Sequence, residues 1–160
     1  MKTFLFLTTL FFITSQSIEE IRSAFHKAHH SKEFAVEFNS TIAQIKLLNE
    51  DLYSAYLGAS EALLSKFGSS PGEKLKLFKS GKAHLEKAVE NQPQNIEIRM
   101  IRLIIQHNAP PILKYNKEIE TDKAFIIQHF SSANAEVKKF IQKTAKSTGV
   151  FTQEELTKIK

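Results

Sequence analysis

Apolar residues recur at three- and four-residue intervals through most of the chain, and sustained apolar/polar alternation is absent, so the pattern predicts helices and no sheet. From Ile18 to about Lys46 the inward positions read Ile18, Ile21 and Phe25, then Phe34, Phe38, Ile42 and Ile45. Two helices, or one interrupted near Ser31, satisfy this spacing. The next helix is expected from Asp51 to Phe67, with Leu52, Tyr56, Ala59 and Leu63 on one face and Gly58 in its middle. A mid-helix glycine costs about 1 kcal/mol relative to alanine, and close approach of a second helix would offset it.

Phe67-Gly68-Ser69-Ser70-Pro71 is the clearest punctuation. Ser70 as N-cap, Pro71 at the first helical position and Glu73 at the third predict a capping box. Leu75, Phe78, Leu85 and Val89 then form an apolar stripe, and Pro93 closes the helix. Asn95 is placed to cap a following helix that carries Ile98, Met100, Ile101, Leu103, Ile104 and Ile105, an apolar surface that implies burial on most sides. Pro110-Pro111 ends it. Two further helices are expected from Glu118 to Phe130 (Ile119, Ile126 and Phe130 inward) and from Ala133 to Lys146 (Val137, Phe140 and Ile141 inward). Thr152 with Glu155 predicts a capping box at the start of a short terminal helix.

These elements describe an all-α chain of 160 residues, long enough for one modest core. The expected organisation is a segment 1–17, followed by one domain, 18–160, with N-terminal helices at 18–48, a core at 51–108, C-terminal helices at 112–146 and a terminal helix at 153–160. The first segment stands apart: Lys2, the apolar run TFLFLTTLFFIT and then Ser15-Gln16-Ser17 read as a secretory signal peptide cleaved after Ser17. The apolar run is short against the roughly 20 residues needed to span a bilayer, so no transmembrane span is expected once it is removed. The chain has no cysteine, which excludes an N-terminal lipid-bearing cysteine and any disulfide. For an exported protein this fits a bacterial envelope better than an animal secretion. A periplasmic or secreted location follows as the expectation.

The stretch GKAHLEKAVENQPQNIEIR, Gly81 to Arg99, resembles the second helix, turn and next first helix of a tetratricopeptide repeat, with Gly81, Leu85, Ala88 and Pro93 at its small-residue, packing and stop positions. AYLGA at Ala55 to Ala59 resembles the first helix of such a repeat. The repeat is irregular, because Gly58 and Gly81 are 23 residues apart whereas the matching small residues would lie about 12 apart in a regular hairpin. Longer helices or a larger loop are implied, and the fold expected is an irregular antiparallel helical bundle containing one tetratricopeptide-like hairpin. AYLGA, FKSG (Phe78 to Gly81), EIRMIRLIIQ (Glu97 to Gln106), PILKY (Pro111 to Tyr115) and DKAFI (Asp122 to Ile126) together resemble a group of exported flavobacterial and related Bacteroidetes proteins with tetratricopeptide-like helices. That resemblance implies a compact helical envelope protein and carries no activity; tetratricopeptide repeats generally bind proteins or peptides.

The 22 basic and 17 acidic residues are interspersed, giving a net charge of +5 that reads as a solvated surface. No compact basic stripe with interleaved aromatics is present, so nucleic acid is not an expected partner. Arg99, Arg102 and Gln106 follow at helical spacing on one face. Two readings stand: together with Tyr56 they grip a partner's carboxylate, or the guanidinium groups pair internally with Glu61, Glu118 or Asp122. His26 and His30 fall one helical turn apart if the helix continues, a spacing that can chelate zinc or copper, although no third ligand is evident. Tyr53, Tyr56, Tyr115 and most of the 13 phenylalanines are read as packing residues.

No GxSxG elbow, phosphate loop or cysteine nucleophile is present, so no enzyme and no cofactor are expected. The leading expectation is therefore a monomeric interaction module that binds a protein or peptide in the cell envelope. The alternatives are a metal-binding protein using His26 and His30, an envelope-surface protein using the basic helix with Lys138, Lys139, Lys143 and Lys146, and, behind these, a small enzyme without a signature.

Overall fold

The structure, a computed structural model, describes residues 18–44 and 49–160. Residues 1–17, for which a signal peptide is expected, and Ile45 lie outside the described residues. Among the described residues, eight α-helices form an all-α bundle and no strand occurs. They are α1 (residues 18–27), α2 (Lys32–Gln44), α3 (Glu50–Leu64), α4 (Pro71–Asn91), α5 (Ile96–Asn108), α6 (Ile119–His129), α7 (Ala135–Thr148) and α8 (Gln153–Thr157).

Helix starts follow local chemistry. Asn49, Ser70, Asn95, Asn134 and Thr152 each accept a backbone N–H from the first turn of the following helix, satisfying donors that have no partner within the helix. Thr152 and Glu155 form the reciprocal box. At α4 the reciprocity is displaced by one residue: Ser70 Oγ accepts from Glu73 N, but the Glu73 carboxylate accepts from Ser69 N and Oγ instead of Ser70 N. The interruption expected near Ser31 is a turn over residues 28–30, and the helix expected to reach Phe67 ends at Leu64, with a 3-10 turn over Ser65–Phe67.

α3 and α4 are antiparallel and cross where Gly58 meets Gly81, too closely for a Cβ on either residue. The 21-residue length of α4 and the turn at residues 65–70 account for the wide spacing of these glycines. α5 is the central rod: Ile98, Met100, Ile101, Leu103, Ile104 and Ile105 are all buried, against α3, α4, α6 and α7. Aromatic rings fill the space beneath α1 and α2, with Phe25 against Phe38, Tyr56 and Phe140 at centroid distances of 5.7, 6.0 and 6.2 Å.

Two inward assignments need correction. Phe34 is 39% exposed, and Ala35 takes its place beside Phe38 and Ile42, because steps of four and four drift around a helix while three and four hold one face. Leu75 is 43% exposed; it lies one turn before the part of α4 that is covered, and it lines the groove described below.

Candidate functional site

Tyr56, Arg99, Arg102 and Gln106, the residues expected to hold a partner, are engaged inside the fold in two separate clusters. On one side of the bundle, Arg102 Nε and Nη2 donate to both oxygens of Asp122 at 2.8 Å, and Arg99 Nη1 donates to Asp122 Oδ1 at 2.9 Å. Asp122 is fully buried. Arg102 Nη1 continues to Glu86 Oε2 at 2.9 Å, and Tyr115 OH donates to Glu86 Oε1 at 2.6 Å. Burial and the neighbouring Glu86 carboxylate raise the pKa of Tyr115, so its hydroxyl stays protonated. Arg99 also donates from Nε to the Pro93 carbonyl and lies over the Phe125 ring at 4.4 Å. Gln106 is buried, and its Oε1 accepts from Glu118 N. Of the acids named from sequence only Asp122 meets the arginines; Glu61 faces His84 at 3.0 Å.

Tyr56 belongs to the other cluster. Its hydroxyl donates to Glu97 Oε1 at 2.6 Å, while Arg22 Nε and Nη2 donate to the two oxygens of Glu97 at 2.8 and 2.7 Å. All three side chains are buried, which joins α1, α3 and α5. These contacts make two internal locks: a partner carboxylate at Tyr56, Arg99 or Arg102 would have to displace Asp122 or Glu97 and leave a buried charge unpaired, at a cost of several kcal/mol.

His26 and His30 do not share an unbroken helix, because α1 ends at residue 27 and His30 sits in the turn. The His26 ring turns inward, Nε2 lying 3.1 Å from Thr144 Oγ1. Thr144 donates its own hydroxyl hydrogen to the Phe140 carbonyl, so it accepts from His26 Nε2–H. Burial, helped by Lys143 and His29, holds the His26 pKa down at about 4. The His30 ring instead lies tilted against His29, with centroids 3.9 Å apart, and is exposed. No group of three potential metal ligands converges among the described residues. The C-terminal lysines sit on α7, where Lys139 pairs with Glu19 across 3.6 Å on the surface.

The feature that residue motifs did not reveal is an apolar groove of about 680 Å³. Ala62 and Leu63 at the end of α3, Leu75 and Phe78 on α4 and Ile105 on α5 line it. Its outer wall is the 3-10 turn Pro111–Leu113, after which Lys114 adopts a left-handed φ of 48° that redirects the chain and leaves Ile112 86% exposed. The back of the groove is held by Phe78, packed edge-on to Tyr115 at 5.7 Å and so to the Glu86–Arg102 network. Polar wall groups are engaged with their own helices: Ser65 Oγ donates to the Ala62 carbonyl and Asn108 Nδ2 to the Ile104 carbonyl. Lys66 and Lys74 are the charged residues of the lining. Lys66 is solvent-accessible, yet the apolar wall displaces enough water to hold its pKa below the ordinary lysine value.

No family, no curated protein and no solved structure matches the chain. The groove therefore has to be read from its own chemistry. A sequence signal for it did exist: Leu75 and Ile112 are apolar residues beside the breaks at Pro71 and Pro110-Pro111, where helix ends leave hydrophobic side chains uncovered. Also, no helix among the described residues is long and apolar enough to cross a membrane.

Proposed function

We propose that this chain is an exported helical interaction module that binds a protein or peptide partner in the cell envelope, with the groove beside Leu75 and Ile112 as the contact surface. One observation carries the reading: two of the four large hydrophobic side chains left exposed among the described residues, Leu75 and Ile112, border the same 680 Å³ groove. An exposed apolar patch of this kind marks an interaction site. The Glu86–Arg102 network, through Tyr115 packed on Phe78, braces the back of the groove without contributing groups to the partner. The signal-peptide pattern and the resemblance to exported tetratricopeptide-like proteins support the envelope as the setting.

Site-specific photo-crosslinking in the native envelope tests this. A photoreactive residue at position 112 should capture one protein, which a Leu75→Asp substitution then removes, while a photoreactive residue at exposed position 136 on α7 should not capture it. Since Leu75 is 43% exposed and lies outside the buried core, Leu75→Asp should lower folding stability by about 1 kcal/mol and leave the fold intact. Identical capture from positions 112 and 136 would sink the proposal.

A further inference from the structure

The groove combines an apolar floor with charge of one sign. Its charged lining residues are Lys66 on the 3-10 turn and Lys74 on α4, and no carboxylate lines it. Neither ammonium has an ion-pair partner among the described residues. A fitting occupant thus brings apolar groups for the floor and acidic groups for the edge.

The walls also restrict the backbone of that occupant. An extended peptide exposes unpaired N–H and C=O groups that need partners when buried, and strand addition requires a free sheet edge. No strand exists among the described residues, and the Ser65 hydroxyl and the Asn108 amide already donate to their own helices. A helix, whose backbone is satisfied internally, has no such need. An acyl chain is disfavoured for a different reason: small-ligand sites typically enclose about 70–90% of the ligand surface, whereas Ile112 stands 86% exposed on an open rim.

Resting on the reading of the groove as a protein-contact surface, we propose that its occupant is an amphipathic helix whose apolar stripe, at i, i+3 or i+4 and i+7, is bordered by Asp or Glu that face Lys66 and Lys74. The apolar stripe meets Leu75, Phe78 and Ile112, and the acidic border supplies the counter-charge that the groove lacks.

The test uses three probes: a side-chain-stapled helical peptide of about 15 residues with a Leu stripe flanked by Glu, the same stripe flanked by Lys, and dodecanoate. Binding is followed by fluorescence anisotropy, and its location by amide chemical shifts of the mature protein. The Glu-flanked peptide should shift Lys66, Leu75 and Ile112, and bind less tightly as salt rises to about 0.3 M. In Lys66→Gln/Lys74→Gln it should bind about tenfold more weakly, with unchanged circular dichroism. Equal binding of the Glu- and Lys-flanked peptides overturns the acidic partner and leaves the apolar contact surface standing. Binding of dodecanoate alone, or of no probe, overturns both.

Discussion

Replacing Gly81 by alanine tests the physical basis of the α3–α4 pairing directly. In an isolated helix the change is stabilising by about 1 kcal/mol, because glycine gives up more backbone freedom on folding. Here the added Cβ would meet the Gly58 carbonyl oxygen and lie 2.7 Å from Ala62 N, both of them backbone atoms that cannot rotate away. Restoring an ordinary 3.4 Å contact to Ala62 N alone requires a shift of about 0.7 Å. A gap of about 0.5–1 Å forfeits a quarter to a half of each dispersion contact it opens, and the buried residues Ala55, Ala59, Ala62, Leu85 and Ala88 belong to these two helices. With overpacking penalties of about 1–3 kcal/mol at their upper end, the expected net destabilisation is about 2 kcal/mol after the propensity gain. Gly72→Ala is the internal control, since its Cβ would have only Ser70 Oγ nearby, at 4.0 Å, and it should be neutral or stabilising. The Gly58→Ala/Gly81→Ala double variant should cost less than the sum of the singles, because helices already moved apart accept the second methyl more easily. Urea unfolding followed by circular dichroism gives all four values. If Gly81→Ala proves as stable as Gly72→Ala, the close crossing is refuted.

The two internal locks give further expectations. Asp122→Asn leaves the buried Arg102 and half-buried Arg99 without their carboxylate and should cost about 3–5 kcal/mol in urea unfolding; a loss under 1 kcal/mol would show that the guanidinium groups find water or another acid. In the Arg22–Glu97–Tyr56 cluster, Glu97→Gln should cost about 3 kcal/mol, and Tyr56→Phe, which removes one donor, about 1–2 kcal/mol; equal losses would contradict the ionic character of the cluster. His26 couples stability to pH. Its folded pKa of about 4 lies below the ordinary 6.5, so the unfolded chain takes up the proton first as pH falls. Stability is full above about pH 6.5 and drains away as pH falls towards 4, by about 1–2 kcal/mol once allowance is made for solvent reaching a half-buried ring. A melting-temperature series from pH 7 to 4 should show this slope flattened in His26→Gln; identical slopes would place the acid sensitivity elsewhere.

Much of the secondary structure is legible in local residue chemistry. Ser70-Pro71, Asn95 and Thr152 with Glu155 mark helix starts, Pro93 and Pro110-Pro111 mark stops, and the three- and four-residue spacing of Ile98, Ile101 and Ile105 identifies the central rod. These signals act over one or two turns, so a single chain suffices to read them. Gly58 and Gly81 pointed to a close helix contact for the same reason, since a glycine within a helix needs compensation from something nearby.

The candidate site was less legible, because what surrounds a side chain depends on elements distant in the chain. Arg102 shows the same helical spacing whether it faces solvent or Asp122, 20 residues away; the placement of α6 beside α5 decides for the internal pair. His26 and His30 have a chelating spacing only on an unbroken helix, and the turn at residues 28–30 breaks it while Thr144 from α7 engages the His26 ring. The groove is the clearest case. Leu75, Ile112 and Lys66 are ordinary residues in three separate segments, and they share a surface because the α3–α4 crossing, the end of α5 and the left-handed Lys114 bring those segments together. Sequence alone determined the helices and most of their starts, through hydrogen-bond capping and apolar periodicity that act locally. Only tertiary packing decided which charges are paired inside and which apolar side chains remain uncovered, because burial belongs to the assembled set of helices.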